Sequence, residues 1–244
     1  GGPKPGPERP LGYDAPLCWI PHAVDNSSGS QVWVPPGQWG ALGGQMLHLL
    51  WGRCGMMLAL RDTGGVVEGP AMQGAVVSLP AKFLSGPNRG SFHPRDGSLF
   101  VAGSTGWQTS AVKDGSLQRV RYTGQRMGLP VGYRIRPGGM DITFSLPLDR
   151  ATAEDPGSYG LKQWNYRYAE AYGSKDWSVA TPDREGRDEV VVKSATLQPD
   201  GRTVFVEIPG LGPVMQFELR YNVEASDAGR PLRGSLWGTI NSVP

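Results

Sequence analysis

The chain has 244 residues, enough to bury a sizeable core and to hold two domains, and its 36 glycines and 22 prolines favour short strands joined by turns over long helices. The formal net charge is only +2, and neither half gathers its lysines and arginines into a basic stripe, which excludes a nucleic-acid-binding surface. The longest apolar stretch, MLHLLWGRCGMMLAL (46–60), is interrupted at Gly52-Arg53 and reads as a hairpin, so no transmembrane segment of roughly 18 apolar residues is expected.

Residues 1–14 form a Pro/Gly-rich arm with no apolar signal-peptide core. The arm does not pack alone and drapes over a neighbour or serves as a linker. After it come short apolar runs: LCWIP (17–21), QVWVP (31–35), GQMLHLLWG (44–52), CGMMLALRD (54–62) and GAVVSLP (74–80). They repeat at turn-limited spacing without a helical period, which predicts strands. Two further strands, SLFVAG and SLQRVRY, are each introduced by an Asp-Gly turn, Asp96-Gly97 and Asp114-Gly115. This is the cadence of a β-propeller blade. Residues 15–126 hold about two blades of strands, fewer than a closed propeller needs, so the chain reads as the C-terminal part, or one subunit, of something larger.

A break falls at Met127-Gly128-Leu129-Pro130, taken as the domain boundary. Beyond it come a strand at Asp141–Phe144, a Leu-Asp turn, a short helical segment, and further strands within 162–172, 188–197, 203–211, 213–225 and 235–243. VVVKSATLQPDGRTVFVEI is a hairpin around Asp200-Gly201 in which Val204, Val206 and Ile208 alternate. The expected fold is all-β: propeller-type blades over 15–126, then a β-sandwich over 127–244.

Several residues are candidates for chemistry. His48, flanked by apolar residues, reads as a core or channel-lining histidine and His93 as a turn residue, whereas His22 opens a polar loop and is the exposed one, a candidate ligand or partner contact. Cys18, His22 and Met46 or Met56 have the residue types of a blue-copper site in the wrong order, with no upstream histidine, and there is no C-x-x-C-H for haem. Asp25 and Asn26, in the oxygen-rich loop DNSSG, are candidate calcium ligands, against an Asx turn as the alternative. Of eight tryptophans, Trp39 in PGQWG and Trp107 in STGWQT sit in Gly-flanked loops that present a ring outward to a sugar or a protein. Cys18 and Cys54 either form a disulfide, worth roughly 3–4 kcal/mol through the long loop it closes, or remain two buried thiols. There is no G-x-S-x-G, phosphate loop or zinc-spaced cluster, so no residue is assigned a catalytic role.

The phrases FHPRDGSLFVAG, GWQTSAVKDGSLQRVRYTG, ITFSLPLD, QWNYRY, YGSKDWSV and GTIN together resemble the C-terminal region of large secreted bacterial proteins of the glucose/sorbosone dehydrogenase-like propeller superfamily, especially those with appended haem or blue-copper domains. The resemblance covers about 15–243. It implies a six-bladed propeller for the first half. For the second it implies an immunoglobulin-like module opening on ITFSLPLD (142–149) and carrying the Asp227-Ala228-Gly229 turn, used for adhesion, spacing or assembly. It also implies an extracytoplasmic location. Catalytic members use pyrroloquinoline quinone with a His base, Arg and Lys contacts and a nearby calcium; here Arg119 and Arg121 resemble the arginines that hold the quinone carboxylates, and a solvated basic strand face is the competing reading. No cofactor is expected on this chain alone. The expected function is a non-catalytic structural or interaction module that docks onto a larger assembly or the missing part of its own polypeptide. The alternatives are a fragment of a quinone-dependent sugar or alcohol dehydrogenase that passes electrons to a cytochrome or copper protein, and a carbohydrate-binding module using Trp39 and Trp107.

Overall fold

Alternation of apolar and polar residues sets the strands of the C-terminal half. In β9 (Gly139–Phe144) Met140, Ile142 and Phe144 are fully buried, in β13 (Thr203–Glu207) Val204 and Val206 are, and the residues between them are half-buried. With β8 (Pro130–Arg136) and β12 (Ser194–Leu197) they form a four-stranded antiparallel sheet in the order β12-β13-β9-β8. The computed structural model describes residues 14–62, 72–170, 173–227 and 229–244. The arm expected at 1–14 lies outside them except for Asp14, as does Ala228 of the expected Asp-Ala-Gly turn.

β2 (Met46–Leu50), β3 (Gly55–Arg61) and β4 (Gly74–Lys82) are apolar in near-continuous runs because both of their faces are covered. Preceded by β1 (Ser28–Trp33), they make an antiparallel meander. The meander does not end there. β4 pairs with β15 (Pro231–Ile240) through Leu236↔Val77, Trp237↔Val76 and Gly238↔Ala75. The sheet then runs on through β14 (Val214–Glu224), β10 (Tyr159–Trp164) and β11 (Asp188–Val190) to a total of eight strands. A third sheet holds β5 (Gly86–Phe92), β6 (Leu99–Ser104) and β7 (Gly115–Val120) in chain order.

The chain is therefore all-β, and the boundary expected at 127–130 does not separate two sheets or two cores. Leu129 is buried there, with its N–H on Ser145 Oγ at 3.1 Å. Asp62 Oδ2 accepts from Ile135 N and Gln73 Nε2, and Gln73 Oε1 accepts from Asn241 N, which ties the halves together again. One cluster joins Leu47, Leu49, Leu58 and Val77 of the meander, Leu99 and Val101 of β6, Ile142 and Phe144 of β9, and Leu219 and Leu236 of the shared sheet. Both smaller sheets thus cover the same, inner face of the large one. Each such leucine stabilises the fold by about 1.5–3 kcal/mol through burial.

The outer face of the meander carries a smaller cluster, Leu50, Met57, Ala59 and Val76, capped by Cys18, Ile20 and Val24. LCWIP (17–21) is this cap and not the strand its apolar run predicts: Pro16 and Pro21 bracket it, and neither has an N–H to give to a ladder. Further along, Gly29 fits where a Cβ would run into the carbonyl oxygens of Pro87 and Leu49, so β1 can lie close to both β2 and β5. The Leu-Asp turn after β9 becomes an N-cap: Asp149 Oδ1 accepts from Thr152 N at 2.9 Å and starts the one-turn helix α1 (Arg150–Ala153).

Candidate functional site

The DNSSG loop is held by a buried polar network. Asp25 Oδ1 accepts from Ser27 N at 3.2 Å, and Oδ2 accepts from Ser28 Oγ at 3.0 Å and faces His48 Nε2 at 3.1 Å. The Gln31 amide lies 2.9 Å from His48 Nδ1. With that amide donating, the ring proton sits on Nε2 and is given to Asp25. Asn26 Nδ2 donates to Gln108 O at 3.1 Å. The loop is the Asx turn of the two readings. The carboxylate expected to ligate calcium spends its lone pairs on Ser27, Ser28 and His48, and no group of three His, Cys, Asp or Glu side chains converges as a metal site among the described residues.

Cys18 and Cys54 are free thiols, which corrects the disulfide expectation. They lie on opposite faces of the large sheet, Cys54 in the inner cluster and Cys18 against the outer one. Burial pushes the Cys18 thiol up to about 12 against a lowering hydrogen bond from Thr239, and it raises Cys54 against the nearby Lys82 charge and the Ser110 N–H.

Trp39 is not presented outward. Gly37 and Gly40, both at positive φ, fold PGQWG back on itself, and Trp39 itself adopts φ 56°. Its ring wedges edge-on against Phe92 at 5.2 Å, and its Nε1 donates to Gly97 O at 2.8 Å. Next to it Arg119 and Arg121 line a hollow with Tyr122, but they are not two available cations. Arg119 donates to Asp96 Oδ2 at 2.8 Å and to Ser98 Oγ at 2.9 Å and lies over Phe100. That commitment does not fit a pair of guanidiniums reserved for quinone carboxylates. Trp107, by contrast, is 71% exposed on a turn of the third sheet.

Two large clefts lie on the outer face, between residues 19–23 and the loop residues 166–169 and 173–176 after β10. Two adjoining hollows of about 600 and 630 Å³ share His22, Arg167 and Tyr168. The base of the loop is built by backbone pairing: Asn165 and Trp177 exchange hydrogen bonds at 2.7 and 2.9 Å, and Asn165 Oδ1 accepts from Met215 N. Asp188 knots the return segment, accepting from Ser178 Oγ, Val179 N, Ala180 N and Arg184 Nη2. Burial alone would raise its carboxyl, yet these donors and the Arg184 charge hold it below the ordinary aspartate value.

Aromatic rings form the floor of the clefts. Trp19 and Tyr166 meet at 5.8 Å, Arg167 lies 4.1 Å over Trp177, and Arg187 lies 3.9 Å over Trp164. Burial pushes the Tyr166 phenol up, so it keeps its proton and donates to Gln216 Oε1 at 3.2 Å. The rim is charged but paired: Lys175 with Glu185 at 2.6 Å, Arg187 with Asp176 at 2.8 Å, Arg167 with Asp183 at 2.9 Å. Of the residues picked out from sequence, His22 and Asp25 border this cleft, Trp39, Arg119 and Arg121 gather at a second, and Trp107 stands apart. Tyr166, Arg167, Tyr168, Lys175 and Trp177 were missed as site residues; the signal was the aromatic and cationic interleaving of QWNYRY and YGSKDWSV. No family model, curated protein or solved structure matches this chain.

Proposed function

We propose that the chain is a non-catalytic extracytoplasmic interaction module that docks through the third sheet, β5 to β7, onto the rest of its own polypeptide or onto a larger assembly. One observation carries the reading. Leu84, Trp107, Val112 and Leu117, exposed at 44%, 71%, 73% and 73%, all belong to that sheet and its connections. Leu84 O accepts from both Val112 N and Lys113 N, and Leu84 N donates to Gln118 on β7, which brings Leu84, Val112 and the Leu117 end of β7 together, with Trp107 on the same β6–β7 connection as Val112. Scattered single apolar residues would need no explanation, whereas a group at one sheet marks an interface. β7 is also a terminal strand of its sheet, the kind of edge that accepts an added strand. In this reading the third sheet, one strand short of a four-stranded propeller-type blade, takes its missing strand from the partner, while β1–β4 and β8–β15 share the large sheet and core that carry it.

The test is isolation of the native polypeptide under non-denaturing conditions, followed by lysine cross-linking and intact mass. The expected result is cross-links from the exposed Lys113 beside β7 to a segment outside these 244 residues or to a copurifying protein. A monodisperse monomer of this chain alone, with Lys113 joined only to its own residues, overturns the reading.

A further inference from the structure

We propose that the outer-face cleft lined by residues 19–23, 166–169 and 173–177 binds a neutral, hydroxyl-rich oligosaccharide. It lies on the side of the large sheet opposite the third sheet, and so stands independently of the docking reading.

Size comes first. Each hollow, at about 600 and 630 Å³, falls in the range of sites for ligands of several rings, and the two run into one another at Tyr168. Chemistry of the floor comes second. Trp19, Tyr166 and Tyr168 carry apolar rings of the kind that lie against the C–H face of a pyranose ring, Trp177 lines the second hollow with one face under Arg167, and Tyr168 is 67% exposed where the hollows meet.

The rim decides between ligand classes. Lys175–Glu185, Arg187–Asp176 and Arg167–Asp183 are paired, so an anionic ligand would have to break an existing ion pair to gain one. Each pair sets N–H donors beside carboxylate acceptors. A hydroxyl group, one donor with two acceptor lone pairs, satisfies both members at once. A proline-rich peptide, which also favours aromatic grooves, has carbonyl acceptors but few N–H donors, and would give Glu185 and Asp176 no donor beyond the Lys175 and Arg187 they already hold.

The whole chain is titrated with cellotetraose, xylotetraose, mannotetraose, maltotetraose and chitotetraose, and separately with decaproline, by calorimetry and tryptophan fluorescence. At least one tetrasaccharide is expected to bind saturably with Kd below about 1 mM. Its affinity is expected to change less than about twofold as salt is raised, because no net charge is neutralised. Tyr168→Ala is expected to weaken it at least about tenfold. That ring is solvent-exposed, so its loss leaves the fold intact; Trp177→Phe, with a smaller loss, serves as a second variant. Absence of saturation by every sugar at about 10 mM, binding unchanged in Tyr168→Ala, or binding of decaproline alone each overturns the proposal.

Discussion

Asp25 and Asp188 are both buried carboxylates with several donors, and each gives a measurable consequence. Removing Asp25 leaves the His48 N–H and the Ser28 hydroxyl without their acceptor inside the protein, so Asp25→Ala is expected to cost about 1–3 kcal/mol in urea unfolding. For Asp188 the folded carboxyl is held below its ordinary value of 3.8. Its contribution to stability is therefore complete above that value and is lost as the pH falls through the lower folded value. Acid titration of stability should be flatter in Asp188→Asn than in the wild type across that acidic window, and the two should run parallel at higher pH. Neither network was legible beforehand. DNSSG shows an Asx turn locally, but the partner that turns Asp25 into a buried acceptor, His48, lies 23 residues away. Trp39 failed for a related reason: Gly-flanked sequence predicts a turn without saying whether the ring inside it points to solvent or back into the gap beside Phe92.

At the level of single strands, pattern and outcome agree best where one face is wet. Val204, Val206 and Ile208 are buried as their alternation requires, and the capped helical turn after β9 follows from a Leu-Asp turn. β2 to β4, covered on both faces, are strands as their runs predict, and the failure is a run that joins no ladder. LCWIP has the composition of a strand, but its neighbours in space are the outer-face residues Leu50, Met57 and Val76, and it lies across them as a lid. Gly29 shows what this close layering demands. In an ordinary surface loop a Gly→Ala change stabilises slightly by restricting the unfolded chain. Here the added methyl would strike the backbones of β2 and the start of β5, so Gly29→Ala is expected to lower stability by about 1–3 kcal/mol. Its chemical-denaturation midpoint distinguishes the two signs.

For the molecule as a whole, the pairing of β4 with β15 matters most. Two halves with a composition break between them read as two domains, because a sequence reveals which residues form strands far better than which distant strand each will join. The register Leu236↔Val77 spans 159 residues, and a single inner cluster sits beneath it. Unfolding followed by tryptophan fluorescence and by far-ultraviolet circular dichroism is expected to give one coincident transition. Two separated transitions, one for each half, would contradict the shared core.

The positions of Cys18 and Cys54 reach further than the absence of a bond between them. The large sheet stands between the two sulfurs as a layer of packed backbone, so an oxidant outside the folded protein has no route to join them, and a reductant has nothing to cleave. A bond between them can form only once the chain has unfolded, so an oxidant draws on the unfolded state and opposes refolding. Dithiothreitol should therefore leave the melting temperature unchanged or raise it, and should not lower it.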